Sequence, residues 1–235
     1  RDYAMPMAIA DYNGDGLLDV YVGFPGSLDF SIKATSGENN AANVNGLFYN
    51  KGRFQFTDSS NFITTSSASN IFPHGSLASD IDLDGDMDIV VMDDRMNPSP
   101  IYRNSGDGRF QSSEQNYKVS NIGYGMGVSV GDINGDSLPD IVMTNATFSA
   151  LNRMKNRSSK GGPDSAILYF ENKGDGTFSD KSASSGLAHA AGEGAGGVSM
   201  IDYDNDGLLD LYVVNGLWSG TNKDVKLDSL FAQMT

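Results

Sequence analysis

Apolar and polar positions along the chain fall into short, repeated blocks. Val20-Tyr-Val-Gly23, Ile89-Val-Val-Met92, Ile141-Val-Met-Thr144 and Leu211-Tyr-Val-Val214 are β-branched or aromatic runs, too short for helices, and predict strands. Each follows an acidic loop. Ahead of the loops lie strands of small residues, such as Met7-Ala-Ile-Ala10, Gly127-Val-Ser-Val-Gly131 and Gly197-Val-Ser-Met-Ile201. A third block reads Leu47-Phe-Tyr-Asn50-Lys-Gly52-Arg-Phe54, Ile101-Tyr-Arg-Asn104-Ser-Gly-Asp-Gly108-Arg-Phe110 and Leu168-Tyr-Phe-Glu-Asn172-Lys-Gly-Asp-Gly176-Thr-Phe178. An apolar run, an Asn/Gly turn and then Phe is a hairpin signal. The first copy lacks two turn residues, which predicts a tighter turn.

One unit is therefore four strands: a small inner strand, the acidic loop, a β-branched strand and an aromatic hairpin. Recurrence of such a unit predicts an all-β chain, a β-propeller of four-stranded blades around a central channel, with small residues where the inner strands crowd. The repeats span approximately 1–60, 70–117, 122–182 and 192–235, the last incomplete. Unequal spacing comes from the second-to-third-strand connection, long at Gly26 to Gly46 and Phe148 to Ser165 but short at Asp93 to Pro100. Three blades and a partial fourth do not close a ring. The expectation is one propeller segment, residues 1–235, completed to roughly six to eight blades by further blades or a partner chain.

The acidic loops share the pattern Asp-x-Asx-x-Asp-x-x-x-Asp. Their expected ligands are the side chains at positions one, three, five and nine and the carbonyl of position seven. These are Asp11, Asn13, Asp15, Leu17 and Asp19; Asp80, Asp82, Asp84, Asp86 and Asp88; Asp132, Asn134, Asp136, Leu138 and Asp140; and Asp202, Asp204, Asp206, Leu208 and Asp210. Two like charges ~4 Å apart repel by about 4 kcal/mol at an effective dielectric of ~20, so each loop calls for a cation. Hard oxygens at alternate positions around a turn suit Ca²⁺, up to four ions in all. An EF-hand would need a bidentate Glu at position twelve, where Val22, Val91, Met143 and Val213 stand, and flanking helices. Gly16, Gly85 and Gly207 at position six permit the positive φ of a sharp turn. Ser137 and Pro139 depart from this, so the third site is expected to be the weakest. The plain alternative, acid-rich surface turns without metal, has four copies in one register against it.

The stretch Met5-Pro-Met-Ala-Ile-Ala-Asp11-Tyr-Asn-Gly-Asp-Gly-Leu-Leu-Asp19-Val-Tyr-Val-Gly-Phe-Pro25 resembles the FG-GAP repeat of integrin α-subunit propellers. The unit with Tyr-x-Asn and Gly-Asp-Gly-x-Phe is similar to the bacterial VCBS-type repeat. Leu211-Tyr-Val-Val-Asn-Gly-Leu-Trp218-Ser-Gly220 resembles the ASPIC/UnbV and cartilage-acidic-protein group. The resemblance implies a calcium-binding propeller, and such propellers serve as adhesins, lectins, receptor ectodomains and appendages to enzymes. Departures are Ser137, the shortened turn at Gly52, and Pro6 and Met7 where the FG-GAP phenylalanine belongs.

Composition narrows the function classes. A net charge of −14, with half of the 30 acids in the four loops, argues against nucleic acid as a partner. No apolar run is long enough to span a bilayer. Without cysteine the fold has no disulfide staples, a role the metals would take. These features fit an extracellular, cell-surface or periplasmic setting. Gly127-Val-Ser129-Val-Gly131 matches a nucleophile elbow and Gly192-Glu-Gly-Ala-Gly-Gly197 a dinucleotide fingerprint, but the first lies inside a strand and the second enters one.

His74 and His189 precede inner strands, on the loop face opposite the acidic loops, where a protein or glycan ligand would dock. Solvated loop histidines are the plainer reading. Arg153-Met-Lys155-Asn-Arg157-Ser-Ser-Lys160 is a basic insertion, and Asn145-Ala-Thr and Asn156-Arg-Ser are glycosylation sequons. The reading is a calcium-stabilised binding or adhesion scaffold with structural ions. The rivals are a lectin, or the propeller of a polysaccharide lyase or hydrolase, for which Glu171, Glu193, Asp93 and Asp94 are available acids that no spacing selects.

Overall fold

The computed structural model describes residues 6–24, 45–64, 71–94, 98–119, 123–146, 166–187 and 195–215. The first sheet is built from β1 (Met7–Ala10), β2 (Asp19–Gly23), β3 (Asn45–Asn50) and β4 (Phe56–Asp58), hydrogen-bonded in that order. A two-residue strand, β5 (Ile63–Thr64), leaves this sheet and pairs parallel with the second one. That second sheet holds β6 (Pro73–Ser79), β7 (Asp88–Asp93), β8 (Ile101–Asn104) and β9 (Phe110–Ser112), followed by a single helical turn, α1 (Glu114–Tyr117). The third comprises β10 (Tyr124–Gly131), β11 (Asp140–Ala146), β12 (Ile167–Asn172) and β13 (Phe178–Asp180). The described part of the fourth is β14 (Ala195–Ile201) with β15 (Asp210–Asn215). Apart from the β5–β9 addition, every pairing is antiparallel.

The core lies between the sheets. Ala8, Tyr21, Leu47 and Tyr49 of the first sheet bury against Ile89, Val91, Tyr102 and Phe110 of the second. Val90, Met92 and Ile101 turn the other way and pack with Ile141, Met143 and Phe170 of the third. Val142, Ile167 and Tyr169 then meet Val198, Met200, Leu211 and Val213 of the fourth. Side chains alternate across a strand, so β7 and β11, covered on both faces, carry unbroken apolar runs at Ile89–Met92 and Ile141–Met143. β15 alternates half-buried with exposed residues instead.

Small residues on the inner strands let successive sheets touch backbone to backbone. A Cβ added at Gly127 would lie 2.9 Å from the Gly196 carbonyl. Ser129 Oγ accepts the Met200 N–H at 3.2 Å across the same junction.

Two expectations need correction. The first hairpin is not shortened: Asn50 pairs with Phe56 as Asn104 pairs with Phe110 and Asn172 with Phe178. Phe56 thus takes the phenylalanine slot, while Phe54 falls where Gly108 and Gly176 stand. Phe54 has a φ of 60° and is 98% exposed. His74 lies inside β6 rather than before it, beside a bulge between Pro73 and Gly75, with Nδ1 3.2 Å from the Met126 carbonyl oxygen. His189, Glu193, the 153–160 insertion and most of the long connections lie outside the described residues.

Candidate metal centres

Each acidic loop begins just after an inner strand and ends on the first residue of the next. The closing pairs are Ala10 with Asp19, Ser79 with Asp88, Gly131 with Asp140 and Ile201 with Asp210. Register thus places all four loops at the same end of their sheets.

Inside the loops three hydrogen bonds recur. The carboxylate of position one accepts the N–H of position five on one oxygen and of position six on the other. For Asp11 these are Asp15 at 3.1 Å and Gly16 at 2.7 Å. Asp80, Asp132 and Asp202 repeat both bonds. The carboxylate of position five then accepts the N–H of position seven, from Leu17, Asp86, Leu138 and Leu208.

Positive φ at position six serves this wrap: Gly16 83°, Gly85 96°, Ser137 70° and Gly207 90°. The third loop therefore keeps the shared turn, at the cost of a left-handed serine. Position four is left-handed too, at Gly14, Leu83, Gly135 and Asn205. The sequence offered no sign of this at Leu83.

In the first three loops the ninth carboxylate is buried and ties three segments together, whereas Asp210 is half-buried and accepts the Tyr203 N–H of its own loop at 2.9 Å. Asp19 accepts the N–H of Tyr12 in its own loop at 3.0 Å and of Asn50 in the hairpin at 2.8 Å. Asp88 does the same with Ile81 and Asn104. Asp140 takes Ile133, Asn172 and the Tyr169 hydroxyl. Burial raises the pKa of Asp19 and Asp140, and it pushes Asp88 to about 7, opposed by the Asn104 N–H and reinforced by the charges of Asp82 and Asp84. Carboxylates crowded in this way favour either a proton or a cation.

The donor sets fit a hard divalent ion. Carboxylate oxygens of Asp80, Asp82 and Asp84 lie within 4.8 Å of one another, as do those of Asp202, Asp204 and Asp210. Asp82 Oδ1 is buried with no hydrogen-bond partner, an acceptor unspent by the protein. In the first and third loops Asn13 and Asn134 replace the second carboxylate, and each side-chain oxygen accepts the N–H of position five.

Two contributors were missed from the sequence. Arg103 Nε donates to Asp82 Oδ2 at 2.5 Å and Nη2 to Asp84 Oδ2 at 2.8 Å, and the Tyr117 hydroxyl donates to the same Asp82 oxygen at 3.1 Å. Only their place in the hairpin repeat, beside Asn104 and after Phe110, could have flagged them.

Three of the other candidates have structural partners. Ser129 is held within β10, Asp93 accepts the Phe72 N–H at 2.7 Å, and Glu171 pairs with Lys181 at 3.5 Å. Asn145 is buried, so this sequon presents no surface amide. Among the described residues no helix is long and apolar enough to cross a membrane.

Comparison with known proteins follows the loop pattern. The FG-GAP-like repeat profile matches residues 11–91, 80–143 and 159–213. Human cartilage acidic protein 1 is 35% identical over 105 residues, which is 45% of this chain and 13% of that protein. The Mus musculus protein of the same name is 34% identical over 105 residues and the Xenopus tropicalis one 33% over 110, each again 13% covered. The chain thus spans a small fraction of these relatives. Among solved structures, a lectin of Agrocybe aegerita studied for recognition of non-reducing terminal N-acetylglucosamine aligns with a TM-score of 0.49 at 20% identity. That alignment covers 89% of this chain and 46% of the lectin.

Proposed function

Because the chain belongs to the FG-GAP-like repeat family, we propose that it is a calcium-stabilised propeller segment serving as an extracellular binding or adhesion scaffold. The observation that carries this reading is the one carboxylate wrap, repeated with the same hydrogen bonds in four loops. Ca²⁺ bound there supplies charge neutralisation and oxygen coordination. The residues holding it are Asp11, Asn13, Asp15 and Asp19, with their counterparts in the other three loops and the position-seven carbonyls.

The ions are structural in this reading. Each loop bridges the inner strand and its neighbour, so a bound cation tightens that hairpin and relieves the Asp82 and Asp84 repulsion that adds to burial in raising the Asp88 pKa. Recognition belongs to the opposite end of the sheets. Gly23, Asn45, Ala146 and Ala166, which flank the long connections, lie at that end. A protein or a glycan docks there, while further blades or a partner chain cover the apolar residues exposed on the outer sheets, Met7 and Ile9 at one side and Ile201 and Tyr212 at the other. Nucleic acid is excluded on charge, and the setting is extracellular, at a cell surface or in a periplasm.

Thermal unfolding in EGTA and in millimolar CaCl₂ tests the metal reading. A melting temperature raised sharply by Ca²⁺ supports it, and identical melts defeat it. A glycan array read beside a screen of extracellular protein ectodomains tests the ligand class. Turnover of a glycan, abolished by one acid substitution outside the loops, would replace the scaffold with an enzyme.

A further inference from the structure

The second loop carries a cation of its own. We propose that Arg103 is a resident counter-ion of that loop, so that a metal ion binds there by exchange with the guanidinium. This rests on the calcium reading above and concerns how one of the four sites is loaded.

Four observations converge on Arg103. Its guanidinium forks across two of the expected ligands, Asp82 at 2.5 Å and Asp84 at 2.8 Å. Asp82 is nine-tenths buried, so its contact is shielded from solvent on the carboxylate side, although the arginine itself is half exposed. One Asp82 oxygen takes both Arg103 and Tyr117, while the other has no partner. The residues at the matching hairpin position behave differently: the Tyr49 hydroxyl donates to the Gly108 carbonyl of the next blade, and Glu171 pairs with Lys181. Among the described residues, then, only the second loop has such a partner, and it is also the loop with five acids.

Ca²⁺ takes six to eight oxygens, and a planar guanidinium holding Asp82 and Asp84 occupies two of those available. In the proposed exchange the ion takes these two oxygens from the guanidinium and adds the unpartnered Asp82 Oδ1. A cavity of about 270 Å³, lined by Asp82, Arg103, Ser113, Asn116, Tyr117 and Gly176, gives the freed side chain room. The exchange also reaches the junction with the third sheet. Tyr117, which shares the Asp82 oxygen, stacks edge-on against Phe178 at 6.2 Å. Loading this loop therefore alters a contact between two blades, whereas among the described residues no positive charge sits on the other three loops to be displaced.

Calorimetric titration of the chelator-stripped full chain with CaCl₂ tests this, using wild type, Arg103→Gln, Arg103→Lys and the control Arg109→Gln. Removing two half-exposed ion pairs tightens one class of site about tenfold in Arg103→Gln. Arg103→Lys, which keeps charge but loses the fork, falls between, and Arg109→Gln matches wild type. In wild type the Arg103 Nε–H resonance moves on the same isotherm as the Asp84 and Gly85 amides, and this needs no variant to fold. Unchanged or weakened affinity in Arg103→Gln, or an Arg103 resonance indifferent to Ca²⁺ while those amides shift, overturns the proposal. Absence of Ca²⁺ binding in every protein overturns the calcium reading itself.

Discussion

Asn104 donates its side-chain amide to the carbonyl of Tyr12, 2.8 Å away in the preceding blade, while also holding the Met87 carbonyl of its own acidic loop. Asn172 repeats this toward Ile81 and Pro139. In the second and third sheets one hairpin asparagine thus fastens the acidic loop of its own sheet to that of the preceding one.

Removing that amide leaves buried carbonyls without donors, a cost of about 1–3 kcal/mol each. Asn104→Ala is expected to lower unfolding free energy by about 2–4 kcal/mol in urea. Asn50→Ala should cost about 1 kcal/mol, because its amide reaches only the Leu18 carbonyl of its own blade.

The raised pKa of Asp88, about 7 against an ordinary 3.8, makes a signed prediction. The folded chain holds this proton more tightly than the unfolded chain. Its contribution to stability is complete below the unfolded value and is lost as pH rises through about 7. In EGTA the melting temperature should therefore climb as pH is lowered from about 8 to about 5. In CaCl₂ the trend should flatten or reverse, since protons then compete with the ion. A melt series in both buffers decides it.

Backbone strain gives a third test. Ser137 at φ 70° and Leu83 at φ 61° hold conformations that favour glycine. Ser137→Gly and Leu83→Gly should each stabilise the chain by about 0.5–1 kcal/mol, the left-handed penalty less glycine's extra entropy. Chemical denaturation at saturating Ca²⁺ would show no gain if the turns relax freely.

Close approach of the inner strands gives a fourth. Gly127→Ala places a methyl 2.9 Å from the Gly196 carbonyl, with no flexible side chain to yield. A loss of about 1–3 kcal/mol is expected, and an unchanged urea midpoint would contradict the packing described.

Much of this was legible in the sequence, because loop chemistry and strand propensity are local. Acids at fixed offsets marked the four loops, and β-branched runs marked the strands that follow them. What escaped depended on register or on distant partners. Matching glycines in the first hairpin suggested Phe54 as the strand residue, yet Phe56 takes the slot because the turn keeps its length by forcing a phenylalanine into a left-handed position. Arg103 is about twenty residues from the carboxylates it contacts, and only the order β6-β7-β8-β9 brings it over them. His74 read as a loop residue because the bulge after Pro73 hides the start of β6.

The two-sided burial of β7 makes consecutive residues report on different neighbours. Ile89 and Val91 belong to the wall shared with the first sheet, Val90 and Met92 to the wall shared with the third. Damage to an interior strand loosens two walls at once, whereas damage at a flank loosens one. In this segment taken by itself, opening should therefore begin at the first and fourth sheets and travel inward, with amide protons of β7 and β11 the last to exchange, and a covering blade or partner chain should slow exchange in β14 and β15.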